Sequence, residues 1–387
     1  MSLKELDKQY IAGTYARFPV EIASGKGSVY TDVNGKDYID MGAGIGVNIF
    51  GAQDEGWKNA VIAQLNKIQH TSNLYYTEPC VKLAKALCEK TGMSKVFFVN
   101  SGAEANECAI KVARKYAAEH KGSDCCTIVT IKNSFHGRTL TTLAATGQEH
   151  YHELYRPLTP GFVSVTADCP EELIELAKTV KIAGVLFECI QGEGGVLPLS
   201  KEYIQFLRKF TEENDIILMC DEVQTGNGRT GKMYSYMNFD IKPDVVSTAK
   251  GLGGGLPVAA TILSEKVENI FAPGDNGTTF GSNPVSCAGA CYIVDKLTDE
   301  FLADVARKGE MLKEKFLACP DIESVTGCGL MIGLKTKKSA AEVVKQCIAD
   351  GVLCLTAKDR VRLLPPLNTP DGLLLKAADI IINACKE

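Results

Sequence analysis

The sequence predicts an α/β protein: a large domain with a mostly parallel central sheet flanked by helices, and a smaller α+β domain built from both chain ends. Three observations carry this. The middle of the chain alternates short β-rich runs with stretches of helical period, the pattern of a parallel sheet covered on both faces. Asn34-Gly35 sits between two strand-like runs near the start, a strong hairpin signal. Beyond about residue 290, helical periods precede short strands. The expected division is 48–288 for the large domain, with 1–47 and 289–387 forming the small one.

The elements follow in order. Runs at 28–31 and 38–41 flank the hairpin turn. Lys95–Val99 reads as a strand, and 104–118 as a helix with Asn106, Ala109, Ile110, Ala113, Tyr116 and Ala117 on one face. Glu107 and Lys111 share its other face at i,i+4 spacing and are expected to support one another. Strands are expected at Thr127–Ile131, 162–166, 183–188, 216–220 and Val245–Thr248. Lys201–Glu213 reads as a helix with Ile204, Leu207 and Phe210 on its inner stripe. In the last part, a helix over 300–317 precedes short strands at 329–334 and 361–364.

Composition narrows the function. A chain of 387 residues can build a sizeable core without a metal or disulfide staple. A net charge of −5 argues against nucleic acid as a partner. No run of about 18 apolar residues predicts a membrane span, and residues 1–15 carry no secretion-type apolar stretch. The 15 cysteines are scattered, without Cys-x-x-Cys, and only 5 histidines accompany them. Reduced thiols, a cytoplasmic location and no metal site are expected. A small-molecule protein is the starting position.

Three glycine clusters invite a nucleotide reading. Gly226 to Met233 fits the first seven positions of a phosphate-binding P-loop, but Met233 stands where Ser or Thr must hold magnesium. Gly42 to Gly46 and Gly251 to Gly255 lack the third glycine of a dinucleotide site. Tight turns and close backbone approach suit all three better.

The chemistry is expected beyond the carboxyl ends of the strands. After Val99, Asn100-Ser101-Gly102-Ala103-Glu104 opens a helix whose free N–H groups suit a phosphate; a plain Ser101 cap fits as well. After Ile131 comes Phe135-His136-Gly137-Arg138, suited to a planar ring and an anion, or equally a core Phe and a surface Arg. Asp221 ends a wholly apolar strand, and Lys250 meets a glycine turn one strand step later. Each alone fits a structural role. Together, a lysine nucleophile, a buried carboxylate, a phosphate cradle and an aromatic lid describe pyridoxal 5′-phosphate chemistry.

At these residues the chain resembles the class III (ornithine-type) aminotransferases, within fold type I of the pyridoxal phosphate enzymes. The matching stretches are NSGAEANE (Asn100 to Glu107), FHGRT (Phe135 to Thr139), QGEGG (Gln191 to Gly195), DEVQTGNGRTG (Asp221 to Gly231), AKGLGGG (Ala249 to Gly255), TTFGSNP (Thr278 to Pro284) and RLLPPL (Arg362 to Leu367). The resemblance implies Lys250 as the Schiff-base lysine and proton carrier, and Asp221 as partner of the pyridinium nitrogen. It implies Val223 and Phe135 around the ring, Gln224 at its phenolic oxygen, and Ser101, Gly102 and Ala103 at the phosphate. Thr279 is expected at the phosphate of a neighbouring subunit, hence a homodimer with shared sites. Arg138 and Thr278 are expected at an acylated amino acid, Arg362 at the α-carboxylate of glutamate, Glu193 on Arg362 when the other substrate is bound, and Tyr15 at a substrate carboxylate.

The implied reaction is ping-pong transamination between N-acetylornithine and 2-oxoglutarate, a step of arginine biosynthesis. Ornithine, succinylornithine, 4-aminobutyrate and an intramolecular nitrogen shift remain as alternatives. The chain departs from the family at Gly51 to Gly56, which replaces the usual Gly-His-x-His-Pro; at Cys189, where Pro usually stands; and at Asn276, often a His.

Overall fold

A computed structural model describes residues 1–386. Seven strands form the central sheet, in the spatial order Lys95–Val99, Ala259–Leu263, Val245–Thr248, Ile217–Asp221, Ile182–Phe187, Thr127–Ile131 and Phe162–Val165. The last five run parallel to one another. Ala259–Leu263 runs antiparallel to both of its neighbours. The sequence reading did not include that strand. It follows the glycine turn after Lys250, where the chain doubles back alongside the strand it has just left.

The strands form because β-branched and aliphatic residues fill both faces: Ile182–Phe187 and Ile217–Asp221 are buried throughout. The helix Gly102–Lys121 covers one face with Ala105, Ala109, Ala113 and Ala117. Such small side chains bring its backbone close, and Thr261 Oγ1 donates to the Ala105 carbonyl at 2.9 Å. Lys201–Glu213 buries Ile204, Leu207 and Phe210 as expected and is capped by Ser200, which accepts from the Tyr203 N–H. The expected Glu107–Lys111 pair does not form. Each side chain finds an acceptor or donor off the helix: Glu107 accepts from Thr139 Oγ1 at 2.6 Å, and Lys111 donates to Asn276 Oδ1 at 2.8 Å.

The hairpin pairs Val29–Asp32 with Asp37–Asp40. Asp32 Oδ1 accepts from the N–H groups of Asn34 and Lys36, and Gly35 takes φ 81. The second of these strands also pairs in parallel with Val352–Leu353, so the two chain ends share a sheet. Ile322–Cys328, Met331–Thr336, Arg360–Leu363 and Leu355–Ala357 form a further antiparallel sheet. Among the described residues no helix is long and apolar enough to cross a membrane.

Candidate active site

Parallel pairing places Asp221 opposite Ser247, three residues before Lys250. Both side chains therefore leave the same sheet edge. Lys250 adopts φ 45, a left-handed conformation that costs a non-glycine residue energy and is found where surrounding structure imposes it. The two residues line a cavity of about 620 Å³ together with Ser101, Gly102, Ala103, Phe135, Arg138, Glu193, Val223, Gln224 and Tyr15.

Asp221 is 4% exposed and held by three donors. Asn106 Nδ2 and His136 Nδ1 reach Oδ2 at 2.7 and 2.8 Å, and the Val223 N–H reaches Oδ1 at 3.0 Å. A carboxylate offers about four lone-pair sites, so one remains for a donor entering from the cavity. Neither Asn106 nor His136 was given a role from the sequence. One sign of the first was visible: a carboxamide on an otherwise apolar helix face. Glu188 also lines the cavity. It accepts from the N–H groups of Phe135 and Gly192, and burial pushes it up to about 7 against the pull of His136.

The phosphate-cradle and helix-cap readings of Ser101 coexist. Ser101 Oγ accepts from the Glu104 N–H at 3.3 Å, and Glu104 Oε2 accepts from the Ser101 and Asn100 N–H groups. The N–H groups of Gly102 and Ala103, in the first turn, have no intrahelical acceptor and face the cavity end of the helix dipole. A Cβ on Gly102 would lie 2.7 Å from Val223 Cγ1. Glycine is what lets the helix end and Val223 approach this closely.

Arg362 is not in the cavity wall but reaches it through its partners. Its Nη1 donates to Glu193 Oε1 at 2.5 Å and to Gln224 Oε1 at 3.2 Å, while Gln224 Nε2 donates to Glu193 at 3.3 Å. Burial alone would raise the Glu193 carboxyl, but Arg362 holds it below the usual carboxylate range. Burial lowers the Lys250 ammonium below the ordinary lysine value, with Glu193 opposing and Arg362 assisting. A larger fraction of Lys250 is thus the free amine that nucleophilic and base chemistry require.

Two predicted residues stand apart. Thr279 is exposed and outside the cavity wall. Thr278 is at the rim, where its Oγ1 accepts from the cavity-lining Asn100 at 3.2 Å. Arg138 is exposed at the mouth, its guanidinium 4.2 Å from the Tyr151 ring centroid. Tyr15 is 74% exposed, under Arg17. Two of the glycine clusters are turns of close approach: a Cβ on Gly226 would lie 2.6 Å from the Glu222 carbonyl, and one on Gly253 1.9 Å from that of Leu256; in the third, Gly44 and Gly46 instead take positive φ, 62 and 74.

Residues 10–385 match the family described as aminotransferase class-III. The chain belongs to the class-III aminotransferases. This aminotransferase is 46% identical over 387 residues to the acetylornithine aminotransferase of Haemophilus ducreyi, covering 100% of this chain and 98% of that one. It is 42% identical to the acetylornithine aminotransferase of Methanocaldococcus jannaschii, over 99% of this chain and 96% of that one. Its fold matches the solved acetylornithine aminotransferase of Elizabethkingia anophelis with a TM-score of 0.89, at 29% identity over 99% and 98% of the two chains. It also matches an ornithine aminotransferase of Toxoplasma gondii, whose structure has partial occupancy of pyridoxal phosphate at its active site. That match has a TM-score of 0.93, at 29% identity over 98% and 93%.

Proposed function

We propose that this class-III aminotransferase moves the terminal amino group of N-acetylornithine to 2-oxoglutarate, using pyridoxal 5′-phosphate carried by Lys250. The observation that carries the reading is the shared cavity of Lys250, Asp221 and the helix end at Ser101–Ala103. The residues fit the cofactor: the free acceptor site on Asp221 suits a pyridinium N–H, and the N–H groups of Gly102 and Ala103 with the Ser101 hydroxyl suit a phosphate. The names of the relatives support the donor.

When bound, the cofactor supplies an electrophilic carbonyl and an electron sink for the substrate's α-bond electrons. The chain supplies the rest. Asp221, oriented by Asn106 and His136, would keep the ring nitrogen protonated. Phe135, Val223 and Gln224 line the same cavity; the first two would hold the ring and Gln224 would meet its phenolic oxygen. Lys250 Nζ, with its lowered proton affinity, takes and returns the migrating proton.

The two substrates present different groups beside the reacting amine. Glutamate brings an α-carboxylate there; N-acetylornithine brings a methylene. Arg362 suits the first and would misdirect the second. Glu193 covers Arg362 until glutamate or 2-oxoglutarate displaces it. Arg138, at the mouth, would meet the donor's own carboxylate, with Tyr15 in the same cavity wall and Thr278 joined to that wall through Asn100. The same cycle through external glutamate distinguishes this reading from an intramolecular nitrogen shift.

The site is completed by a second copy. Thr279 is exposed beside Phe280, and Asn73 ties this loop to the exposed Leu74, Tyr75 and Tyr76 by donating to the Thr278 and Gly281 carbonyls. A surface this apolar suits a homodimer interface that carries Thr279 to its partner's phosphate. All 15 cysteines are free thiols.

The test is a half-reaction on purified holoenzyme. N-acetylornithine without keto acid should bleach the visible absorption of the bound cofactor, and 2-oxoglutarate should restore it. Bleaching by ornithine or 4-aminobutyrate with N-acetylornithine inert would move the substrate assignment to another member of the family.

A further inference from the structure

The geometry points to Tyr151 as a positioning residue that presents Arg138 to the donor's carboxylate, an inference that rests on the reading of Arg138 above. The two arginines of the site are held in opposite ways. Arg362 is buried and its Nη1 is engaged by Glu193 and Gln224. Arg138 is exposed, and the structure gives its guanidinium two ring contacts, 4.2 Å to the Tyr151 centroid and 5.6 Å to that of Phe135. Among the described residues it has no carboxylate partner.

The difference has a chemical consequence. A ring attracts a cation through the ring face. The guanidinium's five N–H donors lie in its own plane and are suited to a carboxylate along its edge. A carboxylate neighbour would both orient Arg138 and use up its donors. Tyr151 orients it without neutralising it. A flexible surface arginine is thereby kept ready for an anion.

The Tyr151 ring is itself fixed. It meets Phe135 edge-on at 5.7 Å and 68°. The short helical turn Glu149–Tyr151 lies between two buried anchors. Before it, Gln148 Nε2 donates to the Ser134 carbonyl at 3.1 Å; after it, His152 Nε2 lies 2.9 Å from the Leu143 carbonyl. The segment carrying the ring is thus tied through Ser134 to the loop of Phe135 and Arg138, and through Leu143 to the helix Leu140–Ala145 that follows that loop.

The test compares N-acetylornithine with N-acetylputrescine, which has the same acylated amine but no carboxylate, in the half-reaction of the holoenzyme. Tyr151→Leu should raise the half-saturating N-acetylornithine concentration about two- to fivefold and leave the maximal rate within about twofold. N-acetylputrescine should be unaffected. Tyr151→Phe, which keeps the ring, should retain the preference of the unaltered enzyme. Tyr151→Gln serves in place of the leucine variant if that protein fails to keep its cofactor. An equal loss toward both donors would show a merely structural role and overturn the inference, as would no loss at all. Arg138→Leu separates the two levels of argument. If it abolishes the preference while Tyr151→Leu does not, only the role of Tyr151 falls. If it leaves the preference intact, the role of Arg138 falls and that of Tyr151 with it.

Discussion

Replacing Glu193 by Gln removes a charge from the site while keeping its shape. The amide oxygen can still accept from Arg362, so the contact changes from charge-assisted on both sides to charged on one. Exposed ion pairs contribute about 0.2–1 kcal/mol and close, desolvated ones from about 1.5 kcal/mol upward. The half-screened charge term between Glu193 and Arg362, about 1–1.5 kcal/mol, is the barrier that an incoming α-carboxylate no longer has to overcome at Arg362. Arg362's side chain is 4% exposed, which preserves the effect, but Glu193's is 26% exposed, which screens it. At about 1.4 kcal/mol per tenfold, the expected gain is about five- to tenfold in kcat/KM for glutamate and for free ornithine, relative to N-acetylornithine.

The assay is the single-turnover half-reaction, followed by the visible absorption of the bound cofactor with each amino donor in turn. The sign of the pH dependence is fixed by the direction of the shift. Arg362 holds the Glu193 carboxyl below its ordinary range. The charge is therefore fully present above the usual glutamate value near 4.3 and is lost only as pH falls through the lowered one. Donor discrimination in the unaltered enzyme should be flat between about pH 6 and 8. A Gln variant with an unchanged ratio of specificities would refute the switch. A ratio that titrated near neutrality would transfer the role to Glu188, whose carboxyl is raised to about 7 by burial.

His136→Leu removes one of the three donors to the buried Asp221 carboxylate. It should cost about 1.5–3 kcal/mol, seen as a lower Tm and weaker cofactor retention in equilibrium dialysis; an unchanged Tm and affinity would remove His136 from the site. Gly102→Ala places a methyl 2.7 and 2.9 Å from the Val223 methyls. Overpacking of about 1–3 kcal/mol should appear as weaker cofactor binding in a spectroscopic titration, with the fold kept. Lys250→Ala and Thr279→Asp, each inactive alone, should regain activity when mixed, up to about half of that per unaltered dimer, because one of the two sites then has both intact residues. No recovery after verified subunit exchange would mean that Thr279 does not serve a partner's site.

Local chemistry made much of this legible. Lys95–Val99, Thr127–Ile131, Lys201–Glu213 and Val245–Thr248 appear with the boundaries the sequence indicates. The helix among them is opened by a cap, Ser200. The Asp221–Lys250 neighbourhood was also legible, because parallel strands one crossover apart end at the same edge. The antiparallel strand Ala259–Leu263 was not. A short apolar run states that it is buried but carries no sign of its direction, and direction here is set by the reversal after Lys250.

The supports of Asp221 show where long-range information enters. Its side-chain donors come from positions 106 and 136, on a helix and a loop far from it in the chain. Motif spacing near Asp221 cannot reveal them. Their presence is still dictated by physical chemistry. A buried carboxylate without partners is costly, and removing one partner of a buried pair leaves the other unsatisfied at about 1–3 kcal/mol. The same reasoning works from the other end. Asn106 stands among Ala105, Ala109, Ile110 and Ala113 on a helix face that is otherwise apolar. An amide there must find a partner inside the protein, and one of its hydrogens meets the His136 carbonyl while another meets Asp221. A polar side chain interrupting an apolar stripe thus marks the buried group that needs it, and in this fold that group is the carboxylate at the centre of the site.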